Sequence, residues 1–267
     1  MKVLAALDNS AAAKPVLATA VTLAELFDAE LEALHVRDEG DRVAAGAAAA
    51  AGVPLREIRG VPVERLINAG NRDDVAALVL GARGGRFGKR PLGSTAVAVA
   101  TSVPKPVAIV PPDATHPGRL HRVLVPLEGT VSTSLAPRAV IELARDAHLD
   151  VVVLHVLEED SLPSFTDQPQ HEESAWADEF LARYCLWGME AATLEMRVGR
   201  REEVVPAVAE EVRADLIALG WTRQLAPGRS PVVQAALART VPVVLIPVDV
   251  LALVNGDHAA RVPAHTG

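Results

Sequence analysis

Short unbroken apolar runs alternate along the chain with longer stretches in which apolar residues recur every three or four positions. Runs such as "VLAAL", "LEALHV" and "PVAIVP" read as strands buried on both faces, and the longer stretches read as helices. The first part of the chain predicts a strand over 2–7, a helix over 10–27, a strand over 30–36 and an Ala-rich helix near 41–51. It continues with a strand over 54–59, a helix over 62–70, a strand over 76–81, a helix over 95–102 and a strand over 106–111. Pro62 suits the first turn of its helix, and Gly70 suits a helix end. Strands that alternate with helices imply right-handed crossovers, hence a parallel sheet covered on both faces.

The pattern then repeats. "VLAALD" (3–8) matches "VLVPLE" (123–128), and "LEALHV" (31–36) matches "VVVLHV" (151–156), both at an offset of 120. "GVPVERL" (60–66) matches "GRREEVV" (199–205), and "AALVLG" (76–81) matches "DLIALG" (215–220), at an offset of 139. "PVAIVP" (106–111) matches "PVVLIP" (242–247) at 136. Matching order with two changes of offset marks a duplicated unit. The second copy gains a segment between its second and third strands, around "EEDSLPSFTDQPQHEESAWADEF" (158–180), in which a helix is expected from about Glu173 to Met189. The expectation is two tandem Rossmann-like α/β/α sandwich domains, each with a five-stranded, mostly parallel sheet, set as a pseudo-dimer. The first spans 1–113 and the second 120–249, joined by the Pro/Gly linker "PDATHPGR", and 250–267 is a tail.

Composition narrows the function. Half of the 267 residues are hydrophobic but only 3% are aromatic, so Ala, Val and Leu must build the core. A net charge of −8 argues against a nucleic-acid or anionic-membrane partner, both of which want a basic face. The single cysteine, Cys185, excludes an intrachain disulfide and any multi-cysteine metal site. The apolar run after Met1 stops at Asp8, too short for a signal-peptide core, and no run is long enough to span a bilayer. A cytoplasmic protein is expected.

The candidate chemistry lies between the fourth strand and the following helix. There Gly81, Gly84, Gly85, Gly88 and Gly93 are interleaved with Arg83, Arg86, Lys89 and Arg90, and Ser94 and Thr95 follow. In doubly wound sheets ligands bind beyond the carboxyl ends of the strands. Glycines let the backbone approach a ligand closely, and the free amides and dipole of a helix N-terminus favour an anion. A solvated loop with Ser94 as a simple cap is the competing reading of the same residues.

"GARG…GKRPLGST…VPKPVAIV" resembles the signature of the universal stress protein family, Gly-x2-Gly-x9-Gly-[Ser/Thr], and the chain to about residue 249 resembles a tandem pair of such domains. The strand-one Asp8, the "LHV" closing strand two in both copies, and the Pro-x-Pro lead into strand five carry the same resemblance. It implies an adenine-nucleotide-binding fold paired through its last strand, so that the two copies pair within one chain. It further implies ATP, with Mg2+, as ligand. Asp8 and Val36 would hold the adenosine end, and Gly81, Gly84, Gly93, Ser94 and Thr95 the ribose and phosphates, beside which the charge of Arg83 makes it a further candidate for nucleotide binding. One departure stands out: eight residues, not nine, separate Gly84 from Gly93.

The second copy departs further. Its loop "GWTRQLAPGRSPVV" (220–233) puts Arg223 and Arg229 where the first copy has Gly84 and Gly93, and Glu128 replaces Asp8. A degenerate second site is expected. His35 and His155 recur at one position, which reads as a structural hydrogen bond rather than a metal pair. No Walker-type Gly-Lys-[Ser/Thr], Gly-x-Ser-x-Gly elbow or Cys/His dyad is present, so no catalytic residue, metal ligand or efficient ATPase is expected. The leading expectation is a regulatory stress-response module that binds ATP in its first domain and is read by an unidentified protein partner. A nucleotide-free interaction module with both sites degenerate is the alternative, and further association of two chains stays open.

Overall fold

The computed structural model describes residues 1–37, 42–83, 92–115, 118–127, 149–157, 192–221 and 230–247. The expected helix near 173–189, the tail, Cys185, Trp176, Trp187, Gly84, Glu128, Arg223 and Arg229 lie outside the described residues.

In the first half, β1 (Lys2–Leu7), α1 (Ala13–Leu26), β2 (Glu30–Val36), α2 (Val43–Ala50), β3 (Leu55–Ile58), α3 (Pro62–Gly70), β4 (Val75–Gly81), α4 (Ser94–Ser102) and β5 (Val107–Val110) follow in order. The second half contributes β6 (Arg122–Leu127), β7 (Asp150–Leu157), β8 (Ala192–Val198), α5 (Arg201–Glu211), β9 (Leu216–Trp221), α6 (Pro231–Leu237) and β10 (Val243–Pro247). The predicted α/β alternation is therefore present through the first half and, among the described residues of the second half, from β8 onward. The boundaries move by a residue or two, and α1 starts three residues later than the periodicity suggests. The reason is local. Asp8 Oδ1 accepts from the Ser10 amide at 3.1 Å and from the Ser10 hydroxyl at 2.5 Å, and Ser10 Oγ accepts from the Ala12 amide at 3.2 Å. These bonds hold 8–12 in a turn that competes with helix.

All ten strands form one sheet, in the order β3-β2-β1-β4-β5-β10-β9-β6-β7-β8. Within each half every described pair is parallel. The halves join where β5 meets β10 antiparallel, with Ile109 opposite Val243, Ala108 opposite Val244 and Val107 opposite Leu245. The intrachain pairing through the last strands is thus present, and it makes one continuous sheet from two repeats.

Alternate residues of each strand feed opposite layers, as the twofold periodicity of a strand requires. Val3, Ala5 and Leu7 pack with Ala13, Val16, Leu17 and Ala20 of α1 and with Ala44 and Ala48 of α2. Leu4, Leu78 and Leu80 pack on the other face with Leu66 of α3 and Val99 of α4, and Leu124 and Ile217 continue that layer beneath α5 and α6. Fully burying residues such as Leu4, Leu34, Leu78 and Ile109 contributes about 1.5–3 kcal/mol each. Thr19 and Thr22 are buried within α1 and donate to carbonyls of the preceding turn, so their hydroxyls carry no desolvation debt.

The glycine shared by "GVPVERL" and "GRREEVV" also finds its cause. Gly60 and Gly199 enter α3 and α5 at φ of +132° and +143°, a region that side chains rarely adopt. A Cβ at Gly60 would lie 2.5 Å from Arg65 Nε, and one at Gly199 would lie 3.1 Å from Val204 Cγ2.

Candidate functional site

Parallel strands bring all their carboxyl ends to one edge, so that edge of the first half collects the residues singled out in the sequence. Asp8 follows β1, Val36 closes β2, Gly81 closes β4, and Gly93, Ser94 and Thr95 begin α4. The register places Leu7 beside His35 and Ala6 beside Leu80, so β1 lies between the strands that carry Val36 and Gly81. Two strand spacings then separate Val36 from Gly81, about 10 Å.

The loop that leaves β4 is pinned before it begins. The Ala82 amide donates to the Val110 carbonyl at 2.7 Å, and the Gly93 amide donates to the Ala82 carbonyl at 2.7 Å. Both motif glycines face this crossing. A Cβ at Gly81 would meet the Arg83 carbonyl oxygen at 3.4 Å and the Ala12 Cβ at 3.5 Å. One at Gly93 would meet the Ala82 carbonyl oxygen at 3.4 Å and the Arg83 Cα at 3.8 Å. Gly93 itself is extended, with φ −82° and ψ 158°, and a Cβ there would make only ordinary contacts, so neither its dihedrals nor its packing demands a glycine. What Arg83 contributes to the crossing is its backbone, which packs between Gly81 and Gly93.

Gly93 is the N-cap of α4, and Ser94 is its first helical residue, not its cap. As a glycine, Gly93 has no side chain with which to cap the first-turn amides, and among the described residues no side-chain cap is made to this helix. Those amides and the helix dipole remain available to an anion. The corresponding helix of the second half differs. Ser230 caps α6, accepting from the Val233 amide at 3.4 Å, and Pro231 at the first position has no amide to offer.

Two supports of the first-half edge were not singled out as site residues. His35 Nδ1 lies 2.9 Å from the Leu7 carbonyl oxygen, which can only accept, so Nδ1 carries the proton. That bond ties the end of β2 to the residue preceding Asp8. Asn9 Oδ1 accepts from the Ala44 amide at 3.1 Å and so satisfies the start of α2, whose N-cap Arg42 supplies no side-chain bond. The recurrence of His35 and His155 was the legible part of this arrangement. Asn9 gave no signal beyond being a turn-forming residue.

At the carboxyl edge of the second half, described residues enclose a cavity of about 40 Å3 lined by Leu127, Val156, Arg201, Leu219, Gly220 and Val232 among others. As the described residues bound it, that space is water-sized. Arg201 stands one repeat on from Pro62, so a guanidinium enters where the first half has a proline ring. His155 lies beside it, and its Nδ1 is 3.4 Å from the Leu127 carbonyl oxygen. Burial holds His155 below the ordinary histidine range; the Leu127 carbonyl opposes that shift, and the charge of Arg201 adds to it.

Among the described residues no helix is long and apolar enough to cross a membrane. Comparison with curated proteins finds no relative. The solved structures give many matches. One is a functionally unknown protein from Pseudomonas aeruginosa PAO1, at 14% identity and a TM-score of 0.63, covering 98% of this chain and 97% of that one. Another is a universal stress protein from Archaeoglobus fulgidus DSM 4304, at 18% identity and a TM-score of 0.62, covering 93% and 97%. These likenesses establish the fold along the whole length. The model of the universal stress protein family matches residues 1–56, 43–111 and 119–247. Because those matches run through both halves of the ten-stranded sheet, this chain belongs to the universal stress protein family as a tandem member.

Proposed function

We propose that the first half, residues 1–113, binds an adenine nucleotide at its carboxyl edge and that the protein serves as a regulatory module rather than a hydrolase. The observation that carries this reading is the uncapped first turn of α4, held against the β4 exit by the Gly93–Ala82 bond. Phosphates would take the amides of Ser94, Thr95 and the loop, with Arg83 and the further basic residues of the loop supplying charge. Adenosine would lie toward Asp8 and Val36. ATP with Mg2+ is the preferred ligand. The residues fit that group in chemical type, because Gly81 and Gly93 keep the crossing free of side chains and α4 presents donors without a competing cap. The second half would be silent, since Ser230, Pro231 and Arg201 occupy the corresponding positions. Ordering of the glycine-rich loop by nucleotide would create the surface that a protein partner reads.

Calorimetric titration of the whole chain with Mg-ATP tests the proposal. One site per chain is expected. Two sites would overturn the silent second half, and absence of heat with ATP, AMP and cyclic AMP at millimolar concentration would overturn nucleotide binding in favour of a nucleotide-free interaction module.

A further inference from the structure

The ten-stranded sheet ends in two strands of unlike character. At one end, β3 has only four residues and directly follows Pro54, a short edge of the kind that resists further pairing. At the other end, β8 has seven residues and no proline. It pairs with β7 in unbroken register, from Ala192 opposite Val151 to Val198 opposite Leu157. Among the described residues no strand lies beyond it. The direction of its backbone groups follows from one bond. The Gly199 amide donates inward, to the Leu157 carbonyl at 2.9 Å. Backbone groups of successive strand residues point alternately to either side. Thr193, Glu195 and Arg197 therefore share the inward direction, and Leu194, Met196 and Val198 turn their amides and carbonyls outward.

The side chains of β8 are self-complementary about Met196. Glu195 and Arg197 flank it on one face of the sheet, and Leu194, Met196 and Val198 lie on the other. A second β8 laid antiparallel, related by a twofold axis at Met196, sets Glu195 of each chain opposite Arg197 of the other. It also sets Met196 opposite Met196 and Leu194 opposite Val198, an apolar side chain that is 54% exposed in the single chain. The outward-facing residues then make the hydrogen-bonded pairs. Each Glu–Arg pair falls at a non-hydrogen-bonded position, where facing side chains approach most closely. Moving the axis by one residue either way sets Glu195 opposite Glu195 or Arg197 opposite Arg197, and like charges directly opposite repel. Within the chain Arg197 contacts Glu195 at 2.6 Å and Glu211 at 3.1 Å, so both charges of the pair stand together at this edge.

We propose that β8 is a docking edge for a second copy of this chain, which pairs antiparallel about Met196 and carries the sheet from one molecule into the next. The charge pattern names the occupant, because an interface around a twofold axis must be complementary to itself. The seam between β5 and β10 is closed within the chain, so β8 supplies the contact between chains. The pairing engages residues 194–198 of each copy, far fewer than the about 20–30 residues a side of a standard interface. The dimer is therefore reversible, and its population follows protein concentration. The inference is independent of the nucleotide reading.

Sedimentation of the full-length protein across a concentration series tests this. The wild-type mass should rise toward that of a dimer. Met196→Pro removes the outward amide at the centre of the pairing and leaves the inward bonds to β7, since proline is tolerated on an edge where its missing amide would face away from the sheet. It should stay monomeric and melt close to wild type. Glu195→Arg and Arg197→Glu should each stay monomeric alone. Their equimolar mixture should dimerise at least about tenfold more tightly than either variant by itself, because the arginines of one then face the glutamates of the other. Wild-type protein that stays monomeric at millimolar concentration overturns the proposal, and a large loss of stability in Met196→Pro would then assign the edge to a segment of the same chain. Association that persists in Met196→Pro, or a mixture of the two charge variants that stays monomeric, overturns it equally.

Discussion

The Gly93 amide and the Ala82 carbonyl meet at 2.7 Å, so the chain leaving β4 and the chain entering α4 are fastened to each other. The residues between Gly84 and Gly93 number one fewer than in the family signature, and that difference falls inside the fastened interval. This bond ties the start of α4 to the β4 exit, and a change of one residue in a closed loop costs little in closure entropy.

Gly93→Val should separate binding from folding. The dihedrals at Gly93 suit any residue, and a Cβ there touches the Ala82 oxygen at an ordinary 3.4 Å. The two added methyl groups would stand before the α4 amides. Nucleotide affinity should fall at least about tenfold, roughly 1.4 kcal/mol, with thermal stability nearly unchanged. Calorimetry and a melt on the same sample would check both halves of this expectation.

Gly81→Leu should do the reverse first. Its side chain would press on Ala12 and Val16 of the buried face of α1. Overpacking of this kind costs about 1–3 kcal/mol, so a lowered denaturation midpoint should accompany any loss of binding. Urea unfolding followed by circular dichroism would measure it.

Ile109→Ala probes the seam between the halves. Ile109 is fully buried and sits opposite Val243 across the antiparallel junction. A loss of about 2–5 kcal/mol is expected. Because one sheet runs through both halves, denaturant should unfold the wild-type chain in a single transition at both far- and near-ultraviolet wavelengths. Two transitions would show that the seam is weaker than its burial implies.

His155 predicts an acid sensitivity. Burial, opposed by the Leu127 carbonyl and aided by Arg201, holds its folded-state pKa below the ordinary value. As pH falls through the ordinary histidine range, the unfolded chain takes up a proton that the folded chain refuses. Stability must then decline until the lower folded-state value is passed. His155→Gln, which retains a donor for the Leu127 carbonyl, should flatten this slope while leaving stability near neutrality similar. Melting temperatures from neutral to mildly acid pH, compared between the two proteins, would decide.

The strands were legible because burial on both faces leaves runs such as Val75–Leu80 nearly free of polar residues. The repeat was legible because the same runs recur in order. The late start of α1 was not, since the Asp8–Ser10 bonds are side-chain chemistry that periodicity ignores. The candidate residues were legible as glycines at fixed spacing, but the bond that ties the start of α4 to the β4 exit, Gly93 to Ala82, joins backbone atoms and leaves no mark in the sequence. The ion contacts at the amino-terminal edge of the first half, where Lys2 and Arg56 meet Glu32 at 3.0 and 2.8 Å, were invisible for another reason. Lys2, Glu32, Arg56 and Arg72 are spread over some seventy positions and each reads singly as a solvated charge; only the strand order collects them.

The antiparallel seam has a consequence for how the molecule presents itself. Every strand of the first half runs one way and every strand of the second half the other. The uncapped end of α4 and the cavity of Arg201 therefore open on opposite rims of the sheet. The rim that carries Arg201 also carries the ion contacts of Lys2, Glu32 and Arg56. A body docking along one rim faces the carboxyl edge of one repeat and the back of its twin, never both carboxyl edges at once. The protein is thus two-sided in the way a coin is: duplicated in metal, different on each face, and able to show a partner which way round it lies.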